Sequence, residues 1–396
     1  MKKKVLFVID SLEIAGAEKS LVTLLSLLDF NKFEVDLRLF SHGSHLENLL
    51  PRDVNLLPPL SYTHYTDQSL LESVMYSLKY REYKMLIARL KYSAEIRKRN
   101  YKNSQKARIY WNAANKVIEE EDCLYDIAVS YAQGIPTFYV ADKVKAKKKY
   151  AWVNVSYHLK DKDQLFQRSF YDKFEKIVAV SCSAKEVFLQ TFPEMKEKLK
   201  VIYDINDPEM ITSMAEMGSS YQDNFKGIRI LTIGRLANQK GYDMAIEACK
   251  KLKESGLNFK WYVLGKGPLE KEIIKMIEDN DLKENFILLG VNSNPYPFIK
   301  DADIYVQTSR FEGFGLAIAE ARMLNVPVVT TRFDAVYNQM IHGNNGLVVD
   351  MDGHSIYKGI MKFIKEPLLK EQIVENLKKE KKGNTEELEK FYHLIS

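Results

Sequence analysis

The sequence predicts an α/β chain of two doubly wound, Rossmann-like parallel-sheet halves with a cleft between them. Three observations carry this. Short apolar, β-branched runs alternate with helical patterns, the order that builds a parallel sheet covered on both faces. The alternation breaks over 204–227 (DINDPEMITSMAEMGSSYQDNFKG) and restarts at 228. The glycine-rich and charged stretches fall just after predicted strands, where ligands bind in such sheets.

The first half opens with MKKKVLFVIDSLE, which sets lysines before apolar residues as a signal peptide does. The apolar run is only Val5–Ile9 before Asp10, too short for a signal-peptide core or a bilayer span, and it reads as a buried strand. Glu18–Leu28 reads as a helix with Leu21, Leu24, Leu25 and Leu28 on one face. EVDLRLF (34–40), DIAVSY (126–131), KKYAWVNV (148–155) and KIVAVS (176–181) read as further strands. Between them, 76–111 does not alternate. It has no turn residue until Asn100, mixes bases with Tyr, Leu, Ile and Met, and reads as a basic helical insertion.

The second half repeats the rhythm. IRILTIG (228–234) leads to a helix over 241–254, and FKWYVLG (259–265) to a helix over 268–279. FILLG (286–290), DIYVQTS (303–309), VPVVTT (326–331) and GLVVD (346–350) complete the set. A length of 396 residues suits two domains. We expect 1–205 to form an N-terminal, acceptor-side domain and 206–375 a C-terminal, nucleotide-binding one. A last helix within 376–396 is expected to pack back on the first domain.

The composition, 46% hydrophobic and 28% charged with no low-complexity tract, is that of an ordinary globular protein. Three widely spaced cysteines, Cys123, Cys182 and Cys249, exclude a disulfide framework and the common zinc patterns and suit a reducing cytoplasm. The net charge of +5 is unevenly placed: residues 1–205 carry 33 Lys and Arg against 26 Asp and Glu, residues 206–396 carry 25 against 27. Most of the excess lies in 76–111, with 11 bases and two acids; Lys143–Lys149 adds five lysines. Such a stretch reads as a solvated helical face or as a contact with an anionic membrane surface. No nucleic-acid-binding motif accompanies it, so nucleic acid is not an expected partner.

Four stretches can carry chemistry. SLEIAGAEKSL (11–21) is a small-residue loop opening a helix. It would offer N–H groups and a positive dipole end to an anion, with Gly16 allowing close approach; a tight strand–helix turn reads the same way. IGRLANQKGYD (233–243) puts Arg235 and Lys240 before a helix, where a planar guanidinium fork and a point charge suit phosphate. LGKGPLEKEI (264–273) is a second glycine turn. Gly265 and Gly267 could admit a ring or sugar there, or only shape the turn. SRFEGFGLAIAEA (309–321) sets Glu312 in a loop and Glu320 nearly two turns into the following helix. A carboxylate accepts paired hydrogen bonds from vicinal hydroxyls, so each glutamate suits a ribose or a sugar ring; an acid/base pair is the other option.

Together, strand–GRL…KG, strand–LGxGP and S-R-x-E-G-F-G-L-x-x-x-E-A resemble the retaining GT-B glycosyltransferases of family GT4, in particular those that build bacterial capsular and other cell-surface polysaccharides. AGAEK (15–19), ADIYVQTS (302–309) and HGNNGLVVD (342–350) add to the resemblance, which is specific over 228–350 and looser over 1–205. It implies a GT-B fold and the transfer of a sugar from a nucleotide-diphosphate donor, UDP-linked by family frequency. The acceptor would be a saccharide or a polyprenyl-diphosphate-linked saccharide at the inner membrane face. It implies that Arg235 and Lys240 bind the diphosphate, Glu312 the donor sugar and Glu320 the ribose. Gly313, Phe314, Gly315 and Leu316 would supply backbone donors, Gly16 and Gly265 close approach.

The chain departs from the family pattern in three places. Ala15-Gly16 stands for the usual Gly-Gly, Asn338 for a frequent Glu, and Trp152-Val153-Asn154 for Trp-x-His, which leaves Asn154 and His158 as the candidates for the sugar site. No metal or other cofactor is demanded, since no Asp-x-Asp closes a strand. An inactive nucleotide-binding partner subunit and a sugar-nucleotide epimerase are the competing expectations.

Overall fold

The computed structural model describes residues 2–13, 16–154, 159, 161–292 and 294–396, the side chains of His45 and Asp161 excepted. The chain divides into two units, one of residues 1–13, 17–202 and 391–396, the other of Gly16 and 203–390.

Seven strands build the first unit: β1 (Lys3–Ile9), β2 (Phe33–Leu39), β3 (Val54–Leu56), β4 (Leu124–Ser130), β5 (Lys145–Val153), β6 (Lys176–Ala179) and β7 (Leu199–Val201). Their order is β3-β2-β1-β4-β5-β6-β7, with every pairing parallel. β1 is central, so Val5 to Ile9 are all buried. That is why its sequence is a continuous apolar run rather than an alternating one. Order reverses between β1 and β4, which fixes the ligand-binding edge at their carboxyl ends.

The second unit repeats the plan with β8 (Ile228–Ile233), β9 (Phe259–Leu264), β10 (Phe286–Gly290), β11 (Ile304–Gln307), β12 (Val328–Thr331) and β13 (Leu347–Val349). The order is β10-β9-β8-β11-β12-β13, again parallel, with the reversal between β8 and β11. Trp261 and Tyr305 are fully buried beside these strands. The Trp261 indole donates to Thr232 Oγ1 at 2.9 Å, and that hydroxyl donates to the Val306 carbonyl at 2.6 Å, so buried polar atoms link β9, β8 and β11.

The stretch 76–111 is not one helix. Helices Leu70–Tyr80, Tyr83–Ile96 and Asn103–Ala114 follow a short helix Ser61–Asp67. The first break falls at Arg81, in the left-handed region at φ 61°, where no glycine or proline signals it. At the other end, helix Glu387–Ile395 brings Phe391 onto Phe7 and Tyr392 onto Phe33, with ring centroids 6.1 and 5.9 Å apart. Lys3 Nζ donates to the carbonyl of Ile395 at 3.1 Å. Among the described residues no helix is long and apolar enough to cross a membrane.

One buried ion pair ties the first unit together. Arg38 on β2 donates from Nε and Nη2 to the two oxygens of Glu121 at 2.7 and 3.1 Å, and the Tyr139 hydroxyl adds 2.8 Å to Oε1. Both charged side chains are only 8% exposed. Removing one partner leaves the other charged and buried, which costs about 3–5 kcal/mol. Glu121→Ala should lower the stability of this unit by that order in urea unfolding followed by circular dichroism. A loss below about 1 kcal/mol would mean that the pair contributes little beyond its own desolvation.

Candidate functional site

The second unit gathers its charged residues at the β8/β11 reversal. Arg235 and Lys240 lie in the loop after β8, and Glu312 in the loop after β11. Lys240 Nζ stands 2.5 Å from Glu312 Oε1, the two side chains being 17% and 9% exposed. The same oxygen accepts from Ser309 Oγ at 2.5 Å and Gln307 Nε2 at 3.1 Å, while Oε2 has Gln239 Nε2 at 3.4 Å. Arg235 is exposed and, among the described residues, its side chain has no hydrogen-bond or ion-pair partner. One base is therefore held by a carboxylate and its neighbour is available to an anion.

Backbone packing sets this arrangement. Gly241 sits at φ 63°, and a Cβ there would lie 2.1 Å from the Thr308 carbonyl oxygen, so only glycine lets the two loops close. The Thr308 hydroxyl donates to the Lys240 carbonyl at 2.7 Å, and the Arg310 amide to the Gln239 carbonyl at 2.7 Å. Arg310 also grips Asp243 with two bonds of 2.9 and 2.6 Å. Gly234 leaves room on the other side, where a Cβ would stand 3.0 Å from the Lys240 stem.

Gly265 and Gly267 shape the second glycine turn. A Cβ on Gly265 would lie 2.1 Å from the Gly234 carbonyl oxygen, and one on Gly267 2.3 Å from that of Leu236. The Leu236 amide donates to Lys266 and the Leu269 amide to Leu236, both at 3.0 Å. The second glycine turn is thus packed against the loop that carries Arg235, so a side chain at Gly265 or Gly267 would break this contact.

Helix Leu316–Met323 begins behind Glu312 and Gly313 with Gly315 as a left-handed N-cap and no side-chain cap, so its first N–H groups are left to other partners. Gln339 Nε2 holds this turn by donating to the carbonyls of Phe314 and Gly315 at 2.6 and 3.1 Å. Phe314 packs on Tyr203 at 5.8 Å, and Leu316 is buried. Glu320 lies on the same helix, 3% exposed, and accepts from the Tyr296 hydroxyl at 3.1 Å. Burial and Glu320 hold the Tyr296 phenol well above its usual range, which keeps it a donor. A Cβ on Gly16 would stand 3.5 Å from Leu316 Cδ1.

Asn154 belongs to the first unit. It follows β5, its Nδ2 donates to the Tyr131 carbonyl at 2.5 Å, and its Oδ1 is buried with no partner among the described residues. His158 lies outside the described residues. Reading the sequence missed Gln307, Ser309, Gln339 and Tyr296. Gln307 and Ser309 stand inside the quoted ADIYVQTS, whose polar end was the signal available. It also left Asp10 as a strand end. At the carboxyl end of β1 this carboxyl keeps part of its surface accessible but is crowded by protein, with no charged or hydrogen-bonding partner among the described residues. Burial pushes its pKa from 3.8 up to about 7. No group of three or more His, Cys, Asp or Glu among the described residues could hold a metal ion.

Residues 219–380 match the model of the family Glycosyl transferases group 1. Two bacterial relatives show the range of the sequence similarity. The N-acetylgalactosamine-N,N'-diacetylbacillosaminyl-diphospho-undecaprenol 4-alpha-N-acetylgalactosaminyltransferase of Campylobacter jejuni is 28% identical over 202 residues, 50% of this chain and 53% of that protein. The capsular polysaccharide biosynthesis glycosyltransferase CapM of Staphylococcus aureus is 31% identical over 173 residues, 41% and 44% of the two. The chain thus spans about half the length of the curated relatives it matches. In structure it is similar to an S. aureus TarM mutant in complex with Fondaparinux, alpha-GlcNAc-glycerol and UDP, with a TM-score of 0.68 at 15% identity over 100% of both chains. Anabaena HepE in complex with UDP and glucose gives 0.66 at 18% identity over 95% and 93%. The fold is GT-B, and the chain is similar over its second half to bacterial surface-polysaccharide glycosyltransferases, as the motifs led us to expect.

Asp10 gives the first unit a pH signature. Its folded pKa lies above its unfolded one, so folding binds a proton between pH 4 and 7. The resulting penalty is absent below about pH 4, grows as pH rises towards 7 and is constant above. Asp10→Asn should therefore gain melting temperature over the parent, and gain more at pH 8 than at pH 5. An equal gain at both would show that Asp10 titrates normally.

Proposed function

We propose that this chain is a retaining glycosyltransferase. It moves a sugar from a nucleotide-diphosphate donor, UDP-linked, to a saccharide or lipid-linked acceptor in the synthesis of surface polysaccharide. The observation that carries the reading is the placement of Arg235 and Lys240 beside Glu312 at the β8/β11 reversal, next to an uncapped helix start. Two bases and free N–H groups at one strand edge suit a diphosphate, and a carboxylate beside them suits the sugar attached to it. UDP in the TarM and HepE complexes and the diphospho-undecaprenol in the Campylobacter relative's name support the donor and acceptor classes.

In this reading Arg235 grips the diphosphate and Lys240 turns from Glu312 towards the phosphate as the donor arrives. Glu312 Oε1 is already crowded by three donors, so Oε2 is the oxygen offered to a sugar hydroxyl. Glu320, oriented by Tyr296, takes the ribose. The C–O bond from the anomeric carbon to the diphosphate breaks as the acceptor oxygen approaches from the same face, and the leaving phosphate oxygen takes the acceptor's proton. Arg235, Lys240 and the helix N–H groups stabilise the charge that develops on the leaving group. No metal is required by this arrangement of cations.

Loss of one such stabilising group costs about 10²–10³-fold in rate. Lys240→Ala and Arg235→Ala should each lower kcat/KM by that order, measured with a panel of UDP-, GDP- and ADP-sugars by donor hydrolysis, with thermal shift as the binding readout. Rates equal to the parent's would remove both residues from the mechanism. A donor that binds in a manner dependent on Arg235 and Glu320, yet is never turned over with any acceptor, would identify a nucleotide-binding partner subunit instead.

A further inference from the structure

The helix Leu70–Tyr80 is inside out. Its buried face consists of Ser73 and Ser77, both fully buried, while Leu71, Met75 and Leu78 point to solvent at 56–70% exposure. These three stand at i, i+4 and i+7, a single stripe along the helix. A helix that serves only its own core places leucine inside and serine outside. The next helix, Tyr83–Ile96, packs Met85, Leu86 and Ala88 inward but also leaves an apolar stripe outside: Tyr83, Ile87 and Leu90 follow the same spacing at 45–64% exposure. The two stripes lie on consecutive helices that pack on each other, joined by Arg81 and Glu82.

The polar interior fixes this orientation. The Tyr65 hydroxyl lies 2.8 Å from Ser77 Oγ and donates to the Ser73 carbonyl at 3.1 Å, and Ser73 Oγ donates back to the Tyr65 carbonyl at 3.1 Å. Arg89, from the second helix, donates to Ser73 Oγ and to the carbonyls of Tyr65 and Gln68. Rotating either helix to hide its leucines would break this buried network and strand its groups. The first helix is also well started: Ser69 and Glu72 form a capping box. Contiguous exposed apolar stripes on well-formed helices mark a contact surface.

Charge selects the occupant. The stripes are rimmed by exposed Lys79, Arg81, Lys84 and Lys91, with the run Arg97–Arg99 just beyond. Tyr80 and Tyr83, half exposed, sit at the junction of the two helices. Two copies facing each other would bring like charges together around a common apolar centre. An anionic lipid surface answers both features, taking leucines and tyrosines at the headgroup–acyl boundary and bases among the phosphates. At 11 and 14 residues the helices are too short to cross a bilayer and suit lying in its surface. We infer that helices Leu70–Tyr80 and Tyr83–Ile96 form a membrane-docking face that inserts Leu71, Met75, Leu78, Tyr83, Ile87 and Leu90 into the interface of an anionic bilayer.

The test is co-sedimentation of the full chain with vesicles, either pure phosphatidylcholine or one-third phosphatidylglycerol, at low and physiological salt. The parent should pellet with the anionic vesicles, less so as salt rises, and stay in solution with the neutral ones. The Leu71→Ser/Leu78→Ser/Ile87→Ser variant should bind about tenfold more weakly with an unchanged circular dichroism spectrum and melting temperature. Lys84→Glu/Lys91→Glu, which leaves the apolar stripes intact, should weaken binding to the anionic vesicles as well. The inference fails if the parent ignores anionic vesicles at low salt, or if the triple-serine variant binds as the parent does. It fails equally if sedimentation velocity finds a dimer that the triple-serine variant dissolves while vesicles are ignored, because the occupant is then a second copy.

Discussion

The second unit depends on one close approach, that of the Gly241 backbone to the Thr308 carbonyl. With no side chain at Gly241 the loop after β8 lies flat on the loop after β11, and the hydrogen bonds from Thr308 and Arg310 then stitch them together. The ion pair of Lys240 and Glu312 follows from that contact. A largely buried pair adds little net stability once its desolvation is counted. The loops therefore hold the pair, not the pair the loops. The glycine turn at 265–267 braces the same loop from the β9 side through its packing on Gly234 and Leu236. Three strand ends are thereby joined into one rigid platform, and the position of each charge is settled by backbone geometry.

A site built in this way is organised before any ligand arrives. Glu312 Oε1 collects donors from Lys240 in the loop after β8, from Gln307 at the end of β11 and from Ser309 in the loop after it. Such convergence fixes a carboxylate in one rotamer and leaves little reorganisation for a later step, the condition under which electrostatic stabilisation is most effective. Arg235 is the opposite case, exposed and unengaged among the described residues. The pairing of a fixed carboxylate with an unengaged cation suits a ligand that presents hydroxyls at one end and phosphates at the other.

Much of this was legible in the sequence because the signals are local. Each strand of the second sheet is a short apolar run closed by a glycine or a polar residue, and the site residues sit within a few positions of those closures. What stayed hidden is tertiary. Gln339 reaches the FG turn from the segment after β12, and Tyr296 meets Glu320 from a separate helix; no spacing in the chain announces either contact. The three-residue strands β3 and β7 are too short for periodicity to register. At Gly265 the sequence left two readings open, because a glycine turn looks the same whether it admits a ligand or packs on another loop. The inverted helix is the deepest case: a stripe of Leu71, Met75 and Leu78 predicts a helix correctly, but periodicity alone assigns the apolar side to the core. Only the buried bonds of Ser73 and Ser77 reverse that assignment.

The two sheets share a strand order and differ in what stands at its reversal. In the second, the β8/β11 edge carries two bases and a carboxylate bound to one of them. In the first, the β1/β4 edge carries Asp10, whose burial without a counter-charge raises its pKa to about 7, beside Tyr131 and the half-satisfied Asn154. An isolated carboxyl with a pKa near neutrality spends much of its time as a neutral hydrogen-bond donor, which suits hydroxyls and disfavours phosphate once ionised. The same topology thus presents two polar edges of different character. That asymmetry comes from the side chains at two equivalent strand ends, since the backbone plan that presents them is the same.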